Sequence, residues 1–404
     1  MQPSCGMNEP LASTADLAVI GAGVAGCALA ATLRQRGWHG SIRLLEIGRG
    51  PGGRTATRRS RSDRATAINH GAPLFNITGQ PEPALLAALR EGGWIRPYDG
   101  AIHALNGQGQ LSPAEGDPLC SGALWQGHPQ MDALSRGLLA LSTTSGCTTL
   151  QTSTLVQQLT PLPGGHGWLL HGSDGTPLLR CRWLVLSGTL LAHPRCQTVF
   201  GWKNVPLQQA AADLQDPSLL EAASALAATT SLASSNLLIQ LAPEVAGAWQ
   251  WQPWRLLQFN AEAQQRWGIR RVSLQNLAPG RMALVVESSA HFAAQHWHVY
   301  GSRSAAARLL GAKAEAEEEV MAALEHALQA ALGLSTAGGQ RQLMRWGAAF
   351  PLAPGLDRRL SLCPESRIGF CGDAIAGLGF GRVEGALRSA EHLAEQLQPR
   401  LINS

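Results

Sequence analysis

The stretch DLAVIGAGVAGCALAATLRQRGWHGSIRLLEIGRGPGGR, residues 16–54, decides the fold of this chain. Its apolar opening, residues 17–20, predicts a buried parallel strand. A glycine-rich turn follows and leads into a helix with apolar residues at helical spacing. A second apolar strand, residues 42–45, ends in Glu46. This order of strand, turn, helix and strand predicts the first unit of a doubly wound α/β sheet.

The turn GAGVAG, residues 21–26, has the glycine spacing that binds the pyrophosphate of a dinucleotide. Gly21 allows a tight turn, Gly23 lets the backbone approach the phosphates, and Gly26 lets the helix pack closely on the strand. The helix N-terminus offers unpaired N–H groups and a partial positive charge. Glu46 can accept hydrogen bonds from ribose hydroxyls. The predicted cofactor-binding residues here are Gly21, Gly23, Val24, Ala25, Gly26, Glu46 and Ile47. The alternative is a glycine turn kept for packing alone.

The next residues, GRGPGGR at 48–54, resemble the GG-Arg signature of the flavin amine oxidase superfamily. In that superfamily the glycine pair and its arginine also face the pyrophosphate, which makes Gly53 and Arg54 candidate cofactor ligands. A planar guanidinium suits two phosphates better than a lysine would. The alternative is a surface turn with an incidental arginine. The resemblance implies that the dinucleotide is FAD.

A second signature lies some 320 residues later, where RIGFCGD at 367–373 is followed by a glycine-rich turn and a helix predicted over 382–398. In the superfamily the aspartate of such a Gly-Asp pair bonds a flavin ribityl or ribose hydroxyl, and the helix N-terminus points at the flavin ring. This resemblance makes Gly372, Asp373, Gly381 and Val383 candidate FAD ligands. The alternative is a simple edge strand, loop and terminal helix.

Two segments between the signatures carry weaker resemblances. INHGAPLFNIT, residues 68–78, resembles a renalase-like segment that packs beside the flavin ring, which implies a role for Gly71 and Ala72. Asn69 and Pro73 depart from that pattern, where an acid and a glutamine are usual. Val156, on a strand predicted over 150–159, matches the valine that such proteins lay against the adenine.

The predicted fold class is α/β: a Rossmann-like (GR2-type) FAD-binding domain with a second α+β substrate domain built on a mixed sheet. At 404 residues the chain is long enough for two lobes. We predict a disordered lead-in over 1–15 and a discontinuous FAD-binding domain over 16–79, 128–189 and 341–400. The substrate-binding domain is predicted over 80–127 and 190–340, with a long helix over 304–332.

Composition narrows the partners and the compartment. Charged residues make up 15% and the formal net charge is +4, which gives no reason to expect nucleic acid as a partner. No apolar run reaches 18 residues and no secretory signal is visible, so neither membrane insertion nor export is expected. The eight cysteines lack zinc spacing, so we expect no metal site and free thiols in a reducing cytoplasm. Thirty arginines beside two lysines suggest a bacterial source.

The resemblance as a whole is to an FAD-dependent oxidoreductase of the renalase-like branch. It implies hydride transfer from a small planar donor, such as a dihydronicotinamide isomer related to NAD(P)H, to flavin N5, with reoxidation by oxygen or another acceptor. Amine oxidases of this superfamily place a lysine near N5, and neither Lys203 nor Lys313 stands in a suitable context. Amine oxidation, a carotenoid or isoprenoid desaturase-like reaction, and a non-catalytic FAD-binding protein remain the alternatives.

The catalytic pocket is predicted from four aromatic or titratable side chains. Trp346 and Phe350, on the strand that returns to the first domain, could form an aromatic wall against a planar substrate. His70 and His296 are polar candidates, with a satisfied structural histidine as the alternative for each. No Ser/His/Asp triad or paired carboxylates are visible.

Overall fold

A computed structural model describes residues 13–60, 63, 66–114, 116, 118–143, 147–278, 280–299 and 313–402. The predicted lead-in, except Ser13 to Ala15, and residues 304–312 of the predicted long helix lie outside these residues. Ser13 to Ala15, predicted as disordered, are instead the start of the first strand, where they pair with a neighbouring strand.

The strands of the described residues are between two and twelve residues long and fall into four sheets. In chain order they are β1 (Ser13–Ile20), β2 (Ile42–Leu45), β3 (Thr57–Arg59), β4 (Ala67–Asn69), β5 (Phe75–Ile77), β6 (Ile95–Pro97), β7 (Ile102–Leu105), β8 (Leu111–Pro113), β9 (Ala123–Gly127), β10 (Thr148–Gln151), β11 (Gln158–Pro161), β12 (Trp168–His171), β13 (Pro177–Leu186), β14 (Ser231–Gln240), β15 (Leu256–Phe259), β16 (Ile269–Ala278), β17 (Arg281–Ser288), β18 (Gln340–Pro351), β19 (Leu362–Cys363) and β20 (Ile368–Phe370).

The helices cover the two large sheets. They are α1 (Val24–Gln35), α2 (Leu86–Glu91), α3 (Ala133–Thr143), α4 (Arg195–Phe200), α5 (Pro206–Leu214), α6 (Pro217–Ala228), α7 (Pro243–Gln250), α8 (Ala261–Trp267), α9 (Ala290–Gln295), α10 (Lys313–Leu332) and α11 (Val383–Ile402). Local sequence fixes several of their starts: the side chains of Asp216, Asn260 and Ser289 accept backbone N–H groups at the first turns of α6, α8 and α9.

The first sheet has a parallel centre in the order β10-β2-β1-β13-β20, with β11, β12 and β19 antiparallel at its margins. Helices α1, α3 and α11 pack on one face, and α5 and α6 pack on the other. Burial on both faces explains why the central strands are apolar throughout rather than alternating. This is the doubly wound arrangement that residues 16–54 predict.

The prediction of a single strand over 150–159 is wrong. β10 pairs with β2 at one edge of the sheet, while β11 pairs with β12 on the far side of β13. The chain between them must therefore cross the sheet, and it does so past the end of β2, where Thr154 N–H donates to the Glu46 carbonyl. Val156 lies in this crossing segment and is buried.

The second sheet is mixed, in the order β18-β14-β17-β16-β15-β7-β8, with one parallel pair between β15 and β7. Helices α7 to α10 cover one face, and the predicted apolar stripe of α10 packs there through Val320, Leu324 and Leu328. The other face, including Leu238 and Val285, packs on Ile68 of β4. The structure thus confirms a Rossmann-like domain beside a mixed-sheet domain.

Three segments belong to a different sheet or core from the one that the predicted domain boundaries assign to them. Residues 341–351, predicted in the FAD-binding domain, form most of β18, which pairs with β14 as the edge of the second sheet. Of residues 80–127, β7 and β8 join the second sheet, but Leu86 and Leu89 of α2 pack in the core under the first. Helices α5 and α6 also pack on the first sheet, because their apolar faces cover strands that would otherwise be exposed. Among the described residues, no helix has the length and apolarity to cross a bilayer.

Candidate active site

A cavity of about 500 Å³ lies where the carboxyl ends of the parallel strands meet the second sheet. In doubly wound sheets this edge is where ligands bind. Most of the residues singled out in the sequence line it: Gly21, Gly23, Val24, Ala25, Glu46, Ile47, Gly53, Arg54, Gly71, Ala72, Val156, Trp346, Phe350, Gly372, Asp373, Gly381 and Val383. Gly26, His70 and His296 are not among the lining residues. The two ends of the chain therefore meet at one cavity.

The first glycine turn owes its shape to three glycines with different constraints. Gly21 has φ +100°, which side chains rarely adopt. A Cβ on Gly26 would lie 2.2 Å from the Gly21 carbonyl oxygen, so a side chain there would push α1 off the turn. A Cβ on Gly23 would meet no protein atom within 4 Å. Gly26 is thus required by the fold, whereas Gly23 leaves space that belongs to the cavity.

The second glycine turn packs directly on the first. Gly52 N–H donates to the Ala22 carbonyl at 2.8 Å, and a Cβ on Gly53 would lie 3.5 Å from the Cα of Gly23. Gly23 is the N-cap residue of α1 and has no side chain that could accept a hydrogen bond. The first N–H groups of α1 therefore face the cavity without a side-chain cap. Two turns and a helix N-terminus converge on the same space.

Arg54 connects the two signatures. Its guanidinium donates to both carboxylate oxygens of Asp373, at 2.7 and 2.5 Å, and to the Ala349 carbonyl at 3.0 Å. Burial disfavours the charge on Arg54, but the facing carboxylate outweighs burial and raises its pKa. The Arg54 side chain is 40% exposed and lines the cavity, so a permanent cation is available there.

The Gly-Asp signature forms a turn that needs glycine. Gly372 has φ +147° and Gly381 has φ +73°. The Gly381 N–H donates to the Asp373 carbonyl, which closes the turn before α11 begins at Val383. The N-terminus of α11 therefore points to the same cavity as that of α1.

Glu384, which the sequence reasoning missed, holds this helix in place. Its fully buried carboxylate accepts hydrogen bonds from Thr78 and from the Gly79 N–H and pairs with Arg388 at 3.0 Å. Burial opposes ionisation, but these bonds hold the pKa of Glu384 below its usual range. An acid in the first turn of a helix was a visible signal, although nothing in the sequence indicated its partners.

Glu46 lies at the end of β2 with its carboxylate already partly engaged. It accepts the Ala22 N–H at 2.8 Å and the Gly48 N–H at 2.6 Å. These bonds orient the carboxylate, and each oxygen keeps a lone pair that can accept a further hydrogen bond. The predicted contact with ribose hydroxyls remains a prediction.

The segment around Gly71 packs on the second glycine turn. A Cβ on Gly71 would lie 2.0 Å from the Arg54 carbonyl oxygen, which also accepts the Ala72 N–H at 2.9 Å. Asn69 instead faces the protein: its side-chain oxygen accepts from the Thr57 hydroxyl and the Met131 N–H. Its departure from the renalase-like pattern thus coincides with a structural role away from the cavity.

Trp346 and Phe350 stand on β18, and both line the cavity. Trp346 stacks on the His70 ring, with ring centroids 5.5 Å apart and planes at 14°. The Arg270 guanidinium lies over the Phe350 ring at 4.0 Å. Both aromatic rings are therefore held from behind, as a wall for a planar ligand would require.

The two histidines are placed differently from the prediction. His70 is buried behind Trp346, and burial, followed by the charge of Arg58, lowers its pKa to about 4. His296 stacks on Phe292, and its Nδ1 lies 3.0 Å from the Phe292 carbonyl oxygen in the second domain. Neither histidine is among the residues that line the cavity. The His70 ring packs on Trp346, and the His296 ring packs on Phe292 of α9. Lys203 is exposed and is not among the lining residues.

The cavity thus has two unlike sides. We call the turns 21–26, 52–54 and 372–383 the glycine wall. We call the following second-sheet residues the side-chain wall: Ser234, Asn236, Arg271, Glu287, Arg345 and Trp346. In the side-chain wall the buried Glu287 pairs with Arg270 at 2.6 Å and Arg271 at 2.7 Å. Burial opposes its charge, yet these arginines lower the pKa of Glu287. Apart from Trp346, the sequence reasoning singled out none of these residues, because polar residues on alternating strands carry no motif.

Comparisons with known proteins agree with this architecture. Residues 19–91 match the model of an NAD(P)-binding Rossmann-like domain. No curated protein matches the sequence. Among solved structures, the chain is similar to a protein from Exiguobacterium sp. 255-15 assigned as a protoporphyrinogen oxidase, with 13% identity, TM-score 0.62, and coverage of 97% of this chain and 100% of that one.

Two further solved structures, both of oxidases that are named after an amine, are also similar to this chain. Cyclohexylamine oxidase from Brevibacterium oxydans IH-35A is 14% identical with TM-score 0.61, over 96% of this chain and 99% of that one. Wild-type putrescine oxidase bound to putrescine is 14% identical with TM-score 0.56, again over 96% and 99%. At these identities the likeness establishes the fold over nearly the whole chain.

Proposed function

We propose that this chain is an FAD-dependent oxidoreductase. The observation that carries the proposal is the convergence of two glycine turns and a Gly-Asp turn, some 320 residues apart in sequence, on one cavity. The Arg54–Asp373 ion pair joins them there. The dinucleotide-type domain and the likeness to oxidase structures support it.

The residues present fit FAD. Gly23 provides open backbone, the N-termini of α1 and α11 both face the cavity, and Arg54 supplies a fixed cation for phosphates. In this proposal Asp373 holds a ribityl or ribose hydroxyl, Glu46 binds ribose, and Val156 covers the adenine. The remaining predicted cofactor residues shape the turns around them.

When bound, FAD supplies a ring that accepts a hydride at N5 and is reoxidised by oxygen or another acceptor. The chain's own residues bind and orient the reactants. Trp346 and Phe350 hold a planar donor, and the buried His70, neutral near pH 7 because its pKa is about 4, supports the Trp346 ring from behind. His296 has no part in this scheme.

The favoured donor is a small planar molecule such as a dihydronicotinamide isomer, as in renalase-like enzymes. An aromatic wall suits such a ring. None of the described residues that line the cavity is a lysine. A dihydronicotinamide loses hydride because of its own ring, so it does not need the lysine that amine oxidases place near flavin N5.

Amine oxidation is the second candidate, and the similarity to cyclohexylamine oxidase and putrescine oxidase favours it. The carotenoid-type reaction and a non-catalytic FAD-binding protein are weaker alternatives. We further propose that the protein works in the bacterial cytoplasm, where the free thiols of its described cysteines would persist.

Anaerobic mixing of the FAD-loaded protein with each donor class separates these candidates. We expect reduced nicotinamide isomers to bleach the flavin absorbance, while amines and carotenoids leave it unchanged. Bleaching by amines alone would favour the second candidate. Bleaching by none of the three would favour the binding protein.

A further inference from the structure

Five of the described arginines line the cavity, and their partners differ. Four of them lie within ion-pair distance of a carboxylate: Arg54 with Asp373, Arg271 with Glu287, Arg345 with Glu317, and Arg382 with Glu384. Within the described part of the chain, the fifth, Arg195, has no carboxylate in reach. Its side chain makes one long hydrogen bond, 3.4 Å to the Thr189 hydroxyl.

Arg195 stands beside the side-chain wall. It is the first residue of α4, which follows the carboxyl end of β13, and its Cδ lies 3.7 Å from where a Cβ on Gly347 would be. Gly347 follows Trp346 on β18. Arg195 and Trp346 therefore both line the cavity in which the proposed function places the donor.

The environment of Arg195 disfavours its charge. Burial, and then the like charge of Arg54, lowers the pKa of Arg195, although an arginine stays protonated at neutral pH. A partly desolvated cation without a counter-ion is costly unless a partner arrives. An anion entering the cavity would supply that partner and would gain a charge-assisted hydrogen bond.

We propose that Arg195 binds an anionic group, a carboxylate or phosphate, on the donor, so that the site selects planar anions over their uncharged counterparts. This inference rests on the proposed function and names the substrate class of that same site. The pyrophosphate of FAD is the other anionic group that Arg195 could bind. Arg195 lies near enough to Arg54 of the glycine wall for their charges to interact, but it stands outside the glycine turns and contacts β18 beside Gly347, which favours the donor.

The test compares nicotinate, a planar anion, with nicotinamide, its uncharged counterpart. Each is titrated into the FAD-loaded wild type, Arg195→Met and the control Arg136→Met, whose arginine is exposed on α3 away from the cavity. Binding is followed by flavin absorbance and by tryptophan fluorescence. We expect Arg195→Met to weaken nicotinate binding about tenfold or more, because the charge-assisted hydrogen bond between the guanidinium and the carboxylate is lost. Nicotinamide binding and the control should be unchanged.

Equal nicotinate affinity in wild type and Arg195→Met would overturn the proposal. So would faster FAD loss with unchanged nicotinate binding, because the anion would then be the cofactor's phosphate. If Arg195→Met does not fold, Arg195→Gln is judged by the same numbers. If the protein binds no FAD, the proposed function fails, while the fluorescence titration of the flavin-free protein still decides whether Arg195 selects the anion.

Discussion

The two walls of the cavity are built by different means. The glycine wall presents backbone: two turns that pack on each other, two helix N-termini, and the ion pair between Arg54 and Asp373. The side-chain wall presents Trp346, the Arg271–Glu287 pair and other polar side chains from a sheet. Backbone geometry of this kind suits a cofactor that many proteins share, whereas side chains on a sheet can change without altering the fold. The comparison therefore predicts that damage to one wall affects FAD and damage to the other affects the donor.

The largest effect is expected at Gly26. Gly26→Ala places a Cβ 2.2 Å from the Gly21 carbonyl, so α1 must shift, with a loss of about 3 kcal/mol in unfolding free energy and of FAD binding. Gly23→Ala should weaken FAD binding with little change in Tm, since its Cβ meets only cavity space. Calorimetry and FAD titration measure both. Gly247→Ala, exposed on α7 with open space around it, is the control and should not lower Tm.

Next comes the anchoring of the glycine wall by Glu384. Glu384→Gln removes the charge that binds Arg388, Thr78 and Gly79, and we expect a loss of about 2 kcal/mol near pH 7. Because the pKa of Glu384 lies below its usual value of 4.5 in the folded state, this stabilisation is present above that value and is lost as pH falls. Urea unfolding from pH 7 to pH 3 checks this. A difference between the two proteins that grows toward acid would contradict it.

The third test concerns the link between the two ends of the chain. Asp373→Asn keeps the shape of the side chain but loses the charge facing Arg54, and should raise the Kd for FAD about tenfold. Donor affinity, measured on protein saturated with FAD, should hardly change. Asp213→Asn, on the exposed side of α5, serves as the matched control. Unchanged FAD affinity in Asp373→Asn would break the contrast between the walls.

The smallest effect is expected on the side-chain wall. Trp346→Leu removes the stacking surface, worth about 0.5–1.5 kcal/mol, so the donor's KM should rise about two- to tenfold. FAD binding should be retained. Trp251→Leu, which alters a tryptophan that is 82% exposed, provides the comparison. Loss of FAD from Trp346→Leu, without loss of donor affinity, would reverse the assignment of the two walls.

The glycine wall could be predicted from the sequence more fully than the side-chain wall. The turns at 21–26 and 372–381 need glycine for backbone reasons that spacing reveals, so the Rossmann-like domain and its cavity residues could be predicted. The strand over 150–159 could not, because whether β10 and β11 are continuous depends on which edge of the sheet each joins. Local propensity does not encode that choice.

The side-chain wall shows the other limit. Arg195 and Glu287 belong to no motif, and only the packing of β17 and α4 brings them to one cavity. His70 was a reasonable candidate from sequence, but its ring lies behind Trp346, a position that depends on the pairing of β18 with β14. Lone polar residues thus need the tertiary structure before they can be given a role.

The most direct measurement is a titration of the purified, folded protein with FAD, followed by flavin absorbance and calorimetry. A single cavity shared by the two ends of the chain predicts uptake of one FAD per chain, weakened by Gly23→Ala and by Asp373→Asn alike. A folded protein that shows no flavin absorbance and takes up no FAD would contradict the account.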